Sequence, residues 1–159
     1  MTYGTGEAFN HMTILSGGSG QHAGKIGEMA FARWLIANDI QFTWSACDKG
    51  PFDFSVMLDN RLVGIDVKAK ERNVPASHEH DAHVTADQEN YACQIYVFCN
   101  VTNDKPTLMG WCGKKEFWSR CRRVKKGDTE GPFTEHVDAG KMQYKNLRPL
   151  QDLLVFAND

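Results

Sequence analysis

FDFSVMLDNRLVGIDVKAK, residues 52–70, reads as two β-strands joined by a two-residue turn, and its register decides the fold. Asp59-Asn60 suits a tight hairpin turn because both residue types tolerate positive φ. With that turn Leu58 faces Arg61, Val56 faces Val63 and Phe54 faces Ile65. One step further out, Asp53 faces Asp66. Facing residues point to the same side of a sheet with Cβ atoms about 4.5–5.5 Å apart, so two carboxylates are held side by side. Alternation puts Lys68 on the face of Asp66, while Val63, Ile65, Val67 and Ala69 point to the opposite, core-seeking face.

Like charges placed directly opposite each other destabilise a sheet, and a partly buried pair must take up a proton or find a cation. Two carboxylate oxygens, a main-chain carbonyl and waters suit a hard ion such as Mg²⁺. Lys68 could then orient a nucleophile, stabilise a charged transition state, or accept a proton if its pKa were lowered. The plainer alternative is an edge-strand ion pair, Asp66 with Lys68, and an Asp53 that merely flanks a turn.

Working outward, KIGEMAFARWLIAN (25–38) has the composition and period of a helix that is apolar on most sides. Its only acid, Glu28, shares a face with Phe31, Ala32 and Leu35; a first-turn position, where the helix dipole favours anions, would account for it equally well. IQFTWSA (40–46) predicts a strand and residues 48–51 a turn. Residues 71–83 read as a polar loop. Residues 84–93 predict a short helix, with Thr85 as N-cap and Gln88 at the capping-box spacing. QIYVFCNV (94–101) and PTLMGWC (106–112) read as strands, KKEFWSRCRRVKKGD (114–128) as a helix stopped by Gly127, and KMQYKNL (141–147) as a strand before a last apolar segment, LQDLLVF.

Residues 1–23, rich in Gly and Ser towards their end, are expected to be flexible, leaving 24–159 as a single domain. With 42% hydrophobic and 24% charged residues the chain falls with folded globular proteins, outside the disordered class. No run approaches the roughly 18 apolar residues of a membrane span, and the N-terminus lacks the apolar core of a secretory signal. The expected setting is therefore cytoplasmic, in a bacterial, archaeal or phage context, with no membrane partner. Five widely spaced cysteines without a CxxC pair argue against a disulfide framework or a zinc ribbon. The net charge of −2 means that any nucleic-acid contact must come from local clustering.

Glu28 on a helix, Asp53 in GPFDF and Asp66-Val67-Lys68 in GIDVKAK together resemble the PD-(D/E)XK nuclease superfamily. The resemblance spans residues 24 to about 101, roughly half the chain. It departs at Phe52, where the name-giving proline would stand, although Pro51 is adjacent. What it implies is an α/β, restriction-endonuclease-like αβββαβ core: a mixed central sheet flanked by helices, here with a C-terminal strand/helix extension. It further implies that Asp53, Asp66 and the Val67 carbonyl bind Mg²⁺, with Mn²⁺ able to substitute. Glu28 would assist through water or a second ion, and Lys68 would position the attacking water. Gln88, followed by Tyr91, is similar to a Gln…Tyr element of exonuclease-like branches, at QxxY instead of QxxxY spacing.

The activity implied is metal-dependent hydrolysis of DNA phosphodiesters, favouring an endonuclease. A junction-resolvase-like or repair nuclease is the nearest alternative, and a non-catalytic DNA-binding module the alternative of another class. A homodimer would let one site per chain cut both strands.

Two further clusters stand out. His78-Glu79-His80-Asp81-Ala82-His83 has metal-binding composition, but a solvated or substrate-contacting loop is the expectation, with His83 nearest the site. Lys114, Lys115, Arg120, Arg122, Arg123, Lys125 and Lys126 stand against one acid, Glu116, and are expected to contact DNA, with Lys70 and Arg72 extending that surface. Trp118, Phe117 and Cys121 are expected in the core.

Overall fold

The turn at Asp59-Asn60 closes with both residues at positive φ, 50° and 56°. It joins β2 (Phe54–Leu58) to β3 (Arg61–Glu71) in the register read from the sequence, from Leu58 opposite Arg61 to Phe54 opposite Ile65. The computed structural model describes residues 19–45 and 51–158. Helix α1 (Ser19–Ala37) precedes β1 (Phe42–Trp44), which pairs antiparallel with β2. After the hairpin come β4 (Asp81–Thr85), a 3₁₀ turn (Ala86–Gln88), β5 (Ile95–Thr102) and β6 (Lys105–Gly113). Helix α2 (Lys114–Arg120), β7 (Arg122–Val124), the small β8–β9 hairpin (Thr129–Glu130 and Phe133–Thr134), β10 (Ala139–Gln143) and α3 (Asp152–Asn158) complete the chain.

The architecture is mixed α/β. A five-stranded sheet has the order β1-β2-β3-β5-β6, antiparallel throughout except for the parallel pair β3–β5. A three-stranded sheet, β4-β10-β7, is separate from it. One core lies between the large sheet and α1 with α3: Phe31, Leu35, Phe54, Ile65, Val97 and Leu153 are buried there, with Trp44 stacked on Phe54 at 5.6 Å. A second core, around Tyr96, Phe98, Phe117, Trp118 and Val84, fills the opposite face beneath the small sheet and α2. Asp66 and Lys68 therefore look towards a covered face, since each alternates with the apolar residues that meet α1.

Gly27 sets how closely α1 can lie on the hairpin. A Cβ there would come within 3.0 Å of the Ala69 Cβ and 3.3 Å of Val67. The bare backbone lets the helix settle on β3, and this brings the next residue, Glu28, to the sheet.

Several expectations are corrected. α1 begins at Ser19, so residues 19–23 are helical; the remainder of the segment expected to be flexible lies outside the described residues, as do residues 46–50. The predicted helix over 84–93 is instead the end of β4 and one 3₁₀ turn, and Thr85 makes no side-chain cap. Ala82 and Val84 alternate into the second core, and antiparallel pairing with β10 overrides the local capping pattern. The connection from β3 to β5 thus carries a strand and a 3₁₀ turn among its described residues, without the α-helix expected of an αβββαβ core. The predicted helix over 114–128 stops at Arg120, because Arg122–Val124 pair with β10. The strand expected over 141–147 ends at Gln143 and gives way to a 3₁₀ turn. No helix among the described residues is long and apolar enough to cross a membrane.

The tight seat of α1 gives a direct test. Gly27→Leu should lower unfolding stability by about 1–3 kcal/mol through overpacking. Gly24→Ala, with open space around its Cβ, should raise it by about 0.5–1 kcal/mol through helix propensity. Urea denaturation of the two variants reads both signs.

Candidate active site

β3 outlasts β2, and the site occupies the place where the ladder runs out. Beyond Phe54 opposite Ile65 no backbone partner follows on the β2 side among the described residues, and side chains take over the hydrogen bonds. The Val67 amide donates to Asp53 Oδ2 at 2.9 Å, and the Asp53 amide donates to Asp66 Oδ1 at 3.1 Å. The two aspartates thus hold one another through each other's backbone. In a strand, a residue's N–H and C=O point to the same edge, so the Val67 carbonyl faces the edge that β2 leaves open.

Lys68 Nζ donates to Asp66 Oδ2 at 3.1 Å and also to Gln88 Oε1. Its ammonium lies 5.6 Å from the centre of the Tyr96 ring, whose hydroxyl accepts the Trp118 indole N–H at 3.0 Å. Gln88 thereby meets the predicted site, though on a 3₁₀ turn instead of a helix. Tyr91, its sequence companion, is exposed. Glu28 approaches from α1: its Oε1 accepts the Trp44 indole N–H at 3.2 Å, and Lys25 lies 3.5 Å from Oε2.

The acids are undercompensated. Glu28 is 8% and Asp66 5% exposed. Burial, then the charges of Glu28 and Asp66, push the Asp53 carboxyl up to about 7. Burial likewise raises Glu28, against the opposing pull of Lys25 and the Trp44 indole, with Asp66 adding to the rise. Lys68 is the cation in contact with the pair, and it is shared with Gln88.

A divalent ion fits this donor set. The carboxylates and the Val67 carbonyl are hard oxygen donors, and the charge excess is negative. Among the described residues no three His, Cys, Asp or Glu side chains converge closely enough to hold an ion by themselves. Mg²⁺ is commonly held by one or two carboxylates and keeps several waters, so the Asp53–Asp66 pair with the Val67 carbonyl is a sufficient protein contribution.

Sequence reading missed four neighbours. Trp44 and Lys25 orient Glu28; Tyr96 underlies Lys68. Cys93, buried beside Asp66, has its thiol pushed up to about 12 by burial and by the Asp66 charge. Only the Lys25–Glu28 spacing along one helix was open to a sequence signal.

The expected DNA-contacting residues divide. Arg123 is bidentate to Glu89 at 2.7 and 3.1 Å and covers Trp118. Arg122 pairs with Glu130 and, at 3.5 Å, with Asp81. Arg120 pairs with Glu116, and Lys114 donates to the Tyr91 carbonyl. Arg72 is bound to Asn100, Tyr144 and the Asp81 carbonyl, and so belongs to the fold. Lys70, Lys115, Lys125 and Lys126 make no ion pair among the described residues. In the histidine-rich segment, His80 Nδ1 accepts the Ser77 amide within a turn, while His83 lies on β4, on the face opposite Ala82 and Val84, and lines a cleft with Lys70 and Lys141. Trp118 and Phe117 are buried in the second core.

No protein-family model matches this sequence, and no curated protein matches it significantly.

The raised Asp53 carboxyl fixes a pH signature. Its folded value, about 7, lies above the ordinary 3.8, so folding favours the protonated form. Its contribution to stability is full below pH about 4 and is lost as pH rises through about 7. Asp53→Asn, which keeps an acceptor for the Val67 amide, should remove that loss. In thermal melts without divalent ions, the variant should gain on the parent between pH 4 and 7 and exceed it above pH 7.

Proposed function

We propose that this chain is a metal-dependent deoxyribonuclease with a restriction-endonuclease-like core, hydrolysing DNA phosphodiester bonds. The observation that carries the reading is the mutual clasp of Asp53 and Asp66 at the open end of the β2–β3 ladder, with Lys68 against Asp66. The order of a helix, three antiparallel strands and a parallel fourth strand supports the fold assignment, and Glu28 adds a third acid from α1. A buried excess of negative oxygen atoms costs stability, and a cation-dependent reaction gives that cost a use.

Asp53, Asp66 and the Val67 carbonyl would hold Mg²⁺ or Mn²⁺, with Glu28 acting through water. Such an ion supplies Lewis-acid polarisation of a phosphoryl oxygen and acidifies water. Lys68 presents an ammonium whose direction is fixed by Asp66 and Gln88. Its remaining N–H can hydrogen-bond to the oxygen of the attacking water, orienting it, or to the charge developing on the phosphoryl group. Glu28, whose pKa is raised by burial, can accept the proton that the attacking water loses. Gln88 holds Lys68 in place and is a positioning residue. Two copies of the chain would be needed to cut both strands of a duplex with one site each.

Plasmid cleavage in Mg²⁺ or Mn²⁺ tests the reading. Asp66→Ala and Lys68→Ala should each lower the rate at least about 100-fold, and chelation should abolish cleavage in the parent. Gln88→Ala should cost roughly 10-fold, mainly in kcat. Retained DNA binding by an uncleaving parent would establish a binding module instead; preference for branched over linear duplex of the same sequence would point to a junction or repair enzyme. Equal cleavage by parent and variants would refute the assignment.

A further inference from the structure

The cationic residues of β3 continue past the acids into a cleft of about 260 Å³ lined by the end of β3, by β4 and β10, and by the segment around the β8–β9 hairpin. Lys70 follows Lys68 on the same face of β3. His83 stands directly across from Lys141, and Lys141 across from Arg122. A row of basic groups is therefore laid side by side, which is unfavourable unless anions lie among them.

Two acids answer part of that charge. Glu135, almost fully buried, pairs with Lys141; Glu130 pairs with Arg122 and lies 4.0 Å from Lys141. Arg72, also in the cleft, is committed to Asn100, Tyr144 and the Asp81 carbonyl. Lys70 has no carboxylate within ion-pair distance among the described residues, and burial with the charges of Arg72 and Lys141 holds its pKa below the ordinary lysine value. His83 is likewise lowered, by burial and by Lys70 and Lys141, against the pull of Glu135 and Asp81. Both are relieved by an incoming anion.

The lip of the cleft is aromatic. Phe133, on the β8–β9 hairpin, is 47% exposed although Lys141 Nζ lies 5.3 Å from its ring centre. Two residues of strand advance about 6.6 Å, comparable with one nucleotide step of an extended strand, so Lys68 and Lys70 are set to meet successive phosphates.

We propose that this cleft is a nucleotide subsite next to the scissile phosphate: Lys70 and His83, beside the Lys141–Glu135 pair, receive the neighbouring phosphodiester and Phe133 stacks against its base. The assignment rests on the nuclease reading for its substrate, but it predicts binding independently of cleavage. It gives the site a polarity, since a strand lying along β3 is gripped on the Lys70 side of the cut.

The test is fluorescence anisotropy of the full chain with a short labelled DNA strand and with its duplex, in Ca²⁺ to suppress turnover, across a salt series. Lys70→Ala should weaken binding about 10-fold and reduce the slope of log K against log salt by about one. Phe133→Ala should weaken binding about 10-fold with the slope unchanged. Lys105→Ala, exposed at the start of β6, should alter neither. Thermal melts of each variant check that folding is preserved. Unchanged affinity and slope in Lys70→Ala and Phe133→Ala overturn the subsite even if the parent cuts plasmid. A parent that binds and responds to both substitutions, yet never cuts in Mg²⁺ or Mn²⁺, sustains the subsite and overturns the nuclease reading. A parent that binds neither strand nor duplex overturns both.

Discussion

Asp53 and Asp66 are held together because β2 is shorter than β3. Where the backbone ladder ends, the Val67 amide still needs an acceptor, and the Asp53 carboxylate supplies it; the Asp53 amide in turn finds Asp66. Each aspartate is fixed by a hydrogen bond that the sheet would otherwise lack, so the geometry of the acids is as stiff as the strand itself. A side-chain rotamer alone could not impose this.

The surrounding fold concentrates the charge that this clasp creates. α1 descends on β3 through Gly27 and delivers Glu28, whose direction is set by the Trp44 indole and Lys25. The second core closes over the opposite face, so that Lys68 rests over Tyr96 and meets Gln88. Burial then raises Asp53 and Glu28 together. Breaking the Lys68–Asp66 contact would leave the acids facing one another with less compensation, which is why a cation of some kind is integral to the arrangement.

Three arginines of the strongly basic stretch after Trp111 are held in ion pairs. Arg120 pairs with Glu116 within α2, while Arg122 and Arg123 pair with Glu130, Asp81 and Glu89, linking β7 to β8, to β4 and to the turn that carries Gln88. Charge counted along the stretch leaves out Asp81 and Glu89, which lie far away in sequence and pair with Arg122 and Arg123. The uncommitted lysine nearest the acids is Lys70, on β3 itself.

By itself the sequence determined the hairpin, its register, and the face on which Asp66 and Lys68 project, because a two-residue turn and strict alternation are local rules with one solution. It also determined α1 and the strands β5 and β6, whose apolar runs are long and periodic. Tertiary structure decided what local patterns misread. Residues 81–85 became a strand, and the predicted helix through Gly127 stopped at Arg120, because both segments pair with β10, a partner too distant in the chain for a local window to register. The contacts of Glu28 with Trp44 and of Lys68 with Gln88 were equally out of reach. They join separate elements, and only the closing of both sheet faces brings them within hydrogen-bonding distance.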